Sequence, residues 1–195
     1  MSATVITTLA VMSRWEPDAR GRMIRAAMDL FAERGFEQTT AGDIAERAGV
    51  TERTFFRHFA DKREVLFDGA QVMEQVASTA ILGAPPTAEP LDAALAGVVA
   101  AGALLEDRRE HAVRRNRLIE ANPGLREREL LKLAALAGAT AGTLRERGVA
   151  DQVADLAAHS AVTVFQVAVT RWVAEDEPPP LADCIADSAA VLRAL

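Results

Sequence analysis

Between Thr39 and Lys62 the chain reads TTAGDIAERAGVTERTFFRHFADK, and this stretch leaves few choices of local structure. Thr40 is placed to cap a helix, with Asp43 three residues on to close a capping box. Ile44, Ala45 and Ala48 follow at helical spacing and give an apolar face. Gly49 then ends the helix, because glycine tolerates the left-handed conformation that a C-terminus often needs. Val50 plugs the corner, and Thr51 is a second N-cap that opens a short helix from Glu52 to about His58. Helix, glycine turn and helix at this length form the helix-turn-helix pattern, whose second helix enters the DNA major groove.

The side chains of the second helix suit that task. Phe55 and Phe59 are four residues apart and can share a buried face, which turns Glu52, Arg53, Thr54, Arg57 and His58 toward solvent or a ligand. An arginine can bond two acceptors on a guanine edge, and a threonine methyl can touch the thymine methyl. His58 and Lys62 suit phosphate oxygens, which position a protein without reading sequence. A solvated helix pair would show the same pattern, so taken alone it leaves a structural role open beside DNA binding.

More of the chain narrows this. AAMDLFAERGFEQTT, then DIAERAGVTERTFFRHFADK, then EVL, in order from about Pro17 to Leu66, resembles the DNA-binding domain of TetR-family transcriptional repressors. The resemblance implies that Glu52, Arg53, Thr54 and Phe56 sit where family members meet bases or the adjacent backbone, and that Thr40, His58 and Lys62 meet phosphates. Two departures stand out. Phe56 replaces the usual tyrosine and its hydroxyl contact, and Gly42 falls where some members carry a base-reading arginine.

The net charge of −6 runs against nucleic-acid binding, but its distribution does not. Arg53, Arg57, Lys62 and Arg63 cluster in the helix-turn-helix, and most of the acidic excess lies beyond residue 68. Such a protein is expected to hold DNA through a small local patch, with weak and salt-sensitive nonspecific affinity. The single cysteine, Cys184, excludes an internal disulfide, and a cytoplasmic location is the simple expectation. The apolar run from Ala93 to Leu105 is short of the ~20 residues a membrane-spanning helix needs. Residues 1–15 lack a basic leading region and are expected to form a poorly ordered extension, with Arg14 its only basic residue.

The remaining periodicities predict helices throughout. Pro17 suits the first turn of a helix reaching Arg34, with Ile24, Ala27, Met28 and Phe31 as its stripe and Gly35 as its stop. Asp61 can cap a fourth helix to roughly Leu82, with Val65, Leu66, Met73, Val76 and Ala80 facing inward. That helix would be the mechanical link between the two parts. After GAPPTAEP come a buried helix, 91–105, an arginine-rich one, 106–121, and a long one from Asn122–Pro123 to Arg147, with Leu130, Leu133, Ala137, Ala141 and Leu144 on one face. Helices 151–174 and 181–195 close the chain. The expected fold is all-α, about nine helices: a three-helix head, 16–62, and a larger helical body, 63–195. By the family resemblance the last two helices pair two copies into a four-helix seam, and the body often holds a small-molecule pocket.

Two features of the body invite a ligand. His159, Thr163, Gln166 and Thr170 fall on one helix face, and a polar row in an apolar helix needs partners. They line a pocket, or form a hydrogen-bonded dimer seam or a partly solvated edge. Arg108, Arg109, Arg114, Arg115 and Arg117, with His111, make a segment able to bind phosphate or carboxylate, or a solvated face paired with Glu106, Asp107 and Glu110. RRNRLIEANPGLRERELLKLAAL and VTRWVAED resemble the bodies of TetR-type regulators that accompany mycofactocin gene clusters. That likeness implies a long-chain acyl-coenzyme A effector, with the arginine-rich helix, Arg115 included, meeting its phosphates.

The reading is a homodimeric, ligand-released repressor on a near-palindromic DNA operator, with no cofactor and no metal. A helical interaction protein without DNA binding is the alternative. The enzyme class has little to stand on: His58, His111 and His159 form no metal-spaced pair, and no phosphate loop or nucleophile elbow is present.

Overall fold

The computed structural model describes residues 18–195, and every regular element among them is helical. The order is α1 (Ala19–Arg34), α2 (Ala41–Arg47), α3 (Glu52–His58), a 3-10 turn (Glu64–Phe67), α4 (Ala70–Gly83), α5 (Pro90–Glu106), α6 (Arg109–Ala121), α7 (Pro123–Glu146), α8 (Asp151–Ala174) and α9 (Leu181–Ala194). Pro17 and the expected 1–15 extension lie outside the described residues. The side chain of Asp18 caps α1 by accepting from the Gly21 N–H at 2.8 Å.

Two apolar cores organise the chain. In the head, Met23, Leu30 and Phe31 of α1 pack on Ile44 of α2 and Phe55 of α3, and Val65, Leu66 and Phe67 close the cluster. Ile119 and Leu125, from the α6–α7 corner, are embedded in this same core. The body core is built on α5, whose Ala94, Val98 and Ala101 are fully buried, and on Trp172, Phe165, Leu144 and Ile185. Close approach of α4 and α5 requires Gly97, where an added Cβ would lie 2.7 Å from Ile81 Cγ1 and 3.1 Å from the Ala77 carbonyl.

The fourth helix departs from expectation. Asp61 caps only the 3-10 turn, accepting from the backbone N–H of Arg63 at 2.7 Å and of Glu64 at 3.3 Å. The chain then breaks at Asp68, which leaves the helix to bind Arg20 of α1, and at Gly69, whose φ is +92°. The helix restarts at Ala70, and its buried residues are Ala77 and Ile81, with Met73 only partly covered. On α7, Leu130 is exposed, and Leu136, Ala137, Thr140, Ala141 and Leu144 form the buried stripe. The arginine-rich helix also starts late, after a turn at Asp107 and Arg108.

Helix α8 is long and apolar enough to cross a membrane by length and composition. In the fold α8 is a core helix, packed on α5, α7 and α9 with Ala158, Ala161, Phe165, Ala168 and Trp172 buried.

Candidate nucleic-acid interface

The helix-turn-helix is assembled from local hydrogen bonds. Thr40 Oγ1 accepts the Asp43 N–H at 3.1 Å, and an Asp43 carboxylate oxygen accepts the Thr40 N–H at 2.8 Å, so the capping box is closed. The Thr40 hydroxyl also donates to Asp43. Helix α2 ends in a paired C-cap: Val50 N–H donates to the Ala45 carbonyl at 2.9 Å and Gly49 N–H to that of Glu46 at 3.0 Å. Gly49 stands at φ +68°, which a side chain would strain. Thr51 then caps α3 by accepting the Thr54 N–H at 3.1 Å, and the two threonine hydroxyls bond each other at 2.9 Å.

Phe55 and Phe59 anchor α3 from behind, both buried, with ring centroids 5.4 Å apart. Burying such a ring contributes about 1.5–3 kcal/mol. The opposite side of α3 is open. Glu52, Arg53, Phe56 and Arg57 are exposed, and Thr54 and His58 partly so. Phe56 is 51 % exposed, and its ring meets Phe55 edge-on. An exposed phenylalanine beside two arginines offers an apolar contact for a thymine methyl.

The head's cations separate into two groups. Arg20 binds Asp68, Arg25 Asp18, Arg34 Asp43, Arg47 Glu33 and Arg63 Asp61. Arg22 donates to the Ala48 carbonyl. Among the described residues only Arg53 and Arg57 of the head's cations have no hydrogen bond or ion pair. They stand four apart, on one side of α3. Arg57 was seen in the sequence as outward-facing, but no contact was assigned to it. Which cations lack a partner depends on three-dimensional neighbours, which sequence spacing does not give.

Lys62 is placed differently from the sequence reading. Its ammonium donates to the carbonyls of Phe36 at 2.7 Å, Thr39 at 2.9 Å and Glu37 at 3.3 Å, and lies 4.3 Å from the Phe36 ring centroid. The ammonium therefore ties the α1–α2 loop, a role the sequence did not indicate beside the phosphate contact expected for it.

The α8 row lies on the partly solvated edge that the sequence left open beside a pocket. His159, Thr163, Gln166 and Thr170 share one face of α8, that face is exposed, and none of the four lines either of the two clefts between head and body. His159 pairs with the Asp155 carbonyl, Thr163 donates to that of His159 and Thr170 to that of Gln166, so three of the four side chains are bonded along their own helix. Val153, Leu156 and Val167 lie exposed on the same helix. Arg115 is a strut: its Nε donates to the Leu66 carbonyl and its Nη1 to Glu129. Two clefts, of about 330 and 360 Å³, open where head meets body; Phe36, Lys62 and Leu125 line the first, Ile24, Arg108 and His111 the second. No cluster of three or more metal-ligating side chains occurs among the described residues.

Residues 23–68 match the family of bacterial regulatory proteins, tetR family, and residues 88–195 match the MftR C-terminal domain. The regulator TcmR of Streptomyces glaucescens is 33% identical over 163 residues, spanning 80% of this chain and 72% of its own. The chain belongs to the TetR family. It is a DNA-binding transcriptional regulator of that family, and the family is one of regulators, not enzymes. The HTH-type transcriptional repressor KstR2 of Mycobacterium tuberculosis is 43% identical over 47 residues, 24% of each chain. The same TetR fold appears in Thermus thermophilus FadR bound to lauroyl-CoA, at TM-score 0.56 and 24% identity over 89% of this chain and 93% of that one. FadR of Bacillus subtilis bound to stearoyl-CoA gives TM-score 0.55 and 20% identity, over 88% and 96%.

Proposed function

We propose that the protein is a homodimeric repressor released from its operator by an acyl-coenzyme A. The observation that carries the DNA half of this reading is the pair Arg53 and Arg57, exposed together and without internal partners. In a dimer, two copies of α3 would enter successive major grooves of a near-palindrome, about one helical turn apart. The seam is supported by Val153, Leu156 and Val167 of α8 and Val191 of α9, large apolar side chains left exposed on the two C-terminal helices. His159, Thr163, Gln166 and Thr170 would then lie at that seam, the alternative the sequence left open.

The effector class is supported by the match to the MftR C-terminal domain and by the coenzyme A thioesters held by the two FadR relatives. The apolar helices of the body, from about residue 63 onward, would shelter the acyl chain. Arg108 and Arg117, which have no partner among the described residues, suit the phosphates. An effector that binds the DNA-incompetent conformation better would shift the population toward it. The change would reach the head through α6 and α7, whose corner is buried in the head core, more directly than through the interrupted α4.

A gel shift with the duplex upstream of the protein's own gene tests this. Lauroyl-CoA is expected to abolish the shift and coenzyme A alone to leave it. A shift that survives saturating lauroyl-CoA rejects the effector class, and a protein that shifts no duplex rejects the repressor reading.

A further inference from the structure

We propose that Glu52 reads a cytosine: its carboxylate accepts the N4 amino hydrogen of one cytosine in each operator half-site, beside the base pair met by Arg53, and glycine at position 42 keeps that carboxylate available. The inference rests on α3 being the helix that enters the groove.

Glu52 opens the first turn of α3 and is exposed. It has no hydrogen bond or ion pair among the described residues, whereas nearby Asp43 is closed into a capping box and Asp61 is bound to Arg63. An unpaired carboxylate is an odd group to press against DNA, which carries one negative charge per ~1.7 Å of its axis. Unless it finds a donor, it opposes binding. The major groove offers two kinds of donor, the N4 amino group of cytosine and the N6 amino group of adenine. On adenine the N7 acceptor lies beside the amino group and repels the second carboxylate oxygen. Cytosine presents only its amino group on that edge, so a carboxylate selects cytosine.

Position 42 explains why the carboxylate is unpaired. A Cβ built on Gly42 would stand 3.8 Å from Glu52 Oε2 and 3.6 Å from Thr40 Oγ1, in ordinary contact. A cationic side chain grown from that point would reach Glu52 and neutralise it. Glycine leaves the carboxylate facing the groove, and the same gap removes the arginine that would otherwise compete for bases there. An acidic residue in the first turn also favours the positive helix end. That role alone would affect stability and leave base preference untouched.

Selection from randomised duplexes with the full-length protein, read by sequencing and followed by affinity measurements, separates these. The unsubstituted protein is expected to fix one C·G pair per half-site. Glu52→Gln is expected to move that position to A·T, since glutamine bonds N6 and N7 of adenine together. Glu52→Ala is expected to relax it, erasing a discrimination on the order of ten- to a hundredfold while keeping affinity for the remaining sequence. Gly42→Arg should lose the cytosine preference although Glu52 is intact. If Glu52→Ala and Glu52→Gln weaken every sequence equally and leave the selected motif unchanged, the proposal is overturned and Glu52 serves the helix alone. If the unsubstituted protein selects no motif at all, the groove-reading role of α3 fails first, a distinct result.

Discussion

The Nε of Arg115 donates to the carbonyl oxygen of Leu66 across 2.7 Å, joining the middle of α6 to the 3-10 turn that closes the head. The same guanidinium donates to Glu129 of α7 at 2.9 Å and lies 4.9 Å from the Phe67 ring centroid. Beside it, Arg114 donates to the Met28 carbonyl and Asp29 of α1, and Glu64 receives Arg128 at 2.6 Å and Lys132 at 3.0 Å. At the other end of α6, Arg109 binds the carbonyls of Trp172 and Glu175, where a cation is favoured by the α8 C-terminus. One helix therefore touches both the recognition head and the C-terminal helices.

Arg115→Ala is expected to destabilise the protein by about 1.5–3 kcal/mol, because it removes charge-assisted bonds and leaves a partly buried carbonyl unpaired. Arg115→Lys restores little of this, since an ammonium is a point charge and cannot serve Leu66 and Glu129 in one plane. Urea denaturation checks the stability and titration with lauroyl-CoA checks the effector site. A variant with an unchanged unfolding midpoint and weakened effector affinity would return Arg115 to the ligand.

Lys62 is expected to matter for folding before it matters for DNA. Lys62→Met keeps the apolar stem over Phe36 and removes the ammonium from three carbonyls, of which that of Phe36 keeps the Thr39 N–H. A loss of about 2–3 kcal/mol is expected for a charged group bonded in this way. The salt dependence of DNA binding should stay the same, whereas loss of a phosphate contact would lower the slope by about one. Thermal melting and a salt titration of the same variant decide between the two.

His111 sets a pH dependence. It is partly buried between head and body, and burial first, then the charges of Arg115, Arg108 and Arg114, hold its pKa below the ordinary value. The unfolded chain thus takes up a proton on this histidine at a pH where the folded chain does not. Stability contributed by the neutral form is complete above the unfolded value, about 6.5. It falls as pH drops below that value, toward the lower folded one. His111→Gln should flatten this part of the stability–pH curve while leaving the acid limb due to carboxylates. Denaturant midpoints measured between pH 7 and 5 show whether it does.

The local signals in the sequence were legible because they act over a few residues. Thr40 with Asp43, Gly49 and Thr51 each act within four residues, and each formed the cap or turn expected. The buried rings followed from spacing alone. What the sequence concealed was competition between distant groups. The fourth helix is broken at Asp68, whose carboxylate pairs with Arg20 far away in sequence, and at Gly69 with its positive φ. Lys62 and Arg115 read as ligand-binding cations in sequence, and the fold also bonds them to the carbonyls of Phe36 and Leu66, which spacing could not foresee. The α8 polar row was correctly phased, but phase cannot say which side of a helix is the inside when both sides carry apolar residues.

Arg53 and Arg57 are expected to fail differently when removed. Base edges are met by the N-terminal residues of a recognition helix, and Arg53 lies in the first turn of α3. Arg57 is one turn later, beside the exposed Phe56, where on the proposed docking the helix would leave the groove and approach the phosphate backbone. Arg53→Ala should cost about 1–3 kcal/mol and relax one operator position, whereas Arg57→Ala should weaken all sequences alike and lower the salt slope by about one. Neither side chain has an internal partner, so both variants should melt like the parent protein. Anisotropy titrations on the selected operator and on single-base variants, each across a range of salt, measure both effects. An unchanged motif for Arg53→Ala, or a sequence-selective loss for Arg57→Ala, would exchange the two roles and turn the reading face of α3 about its axis.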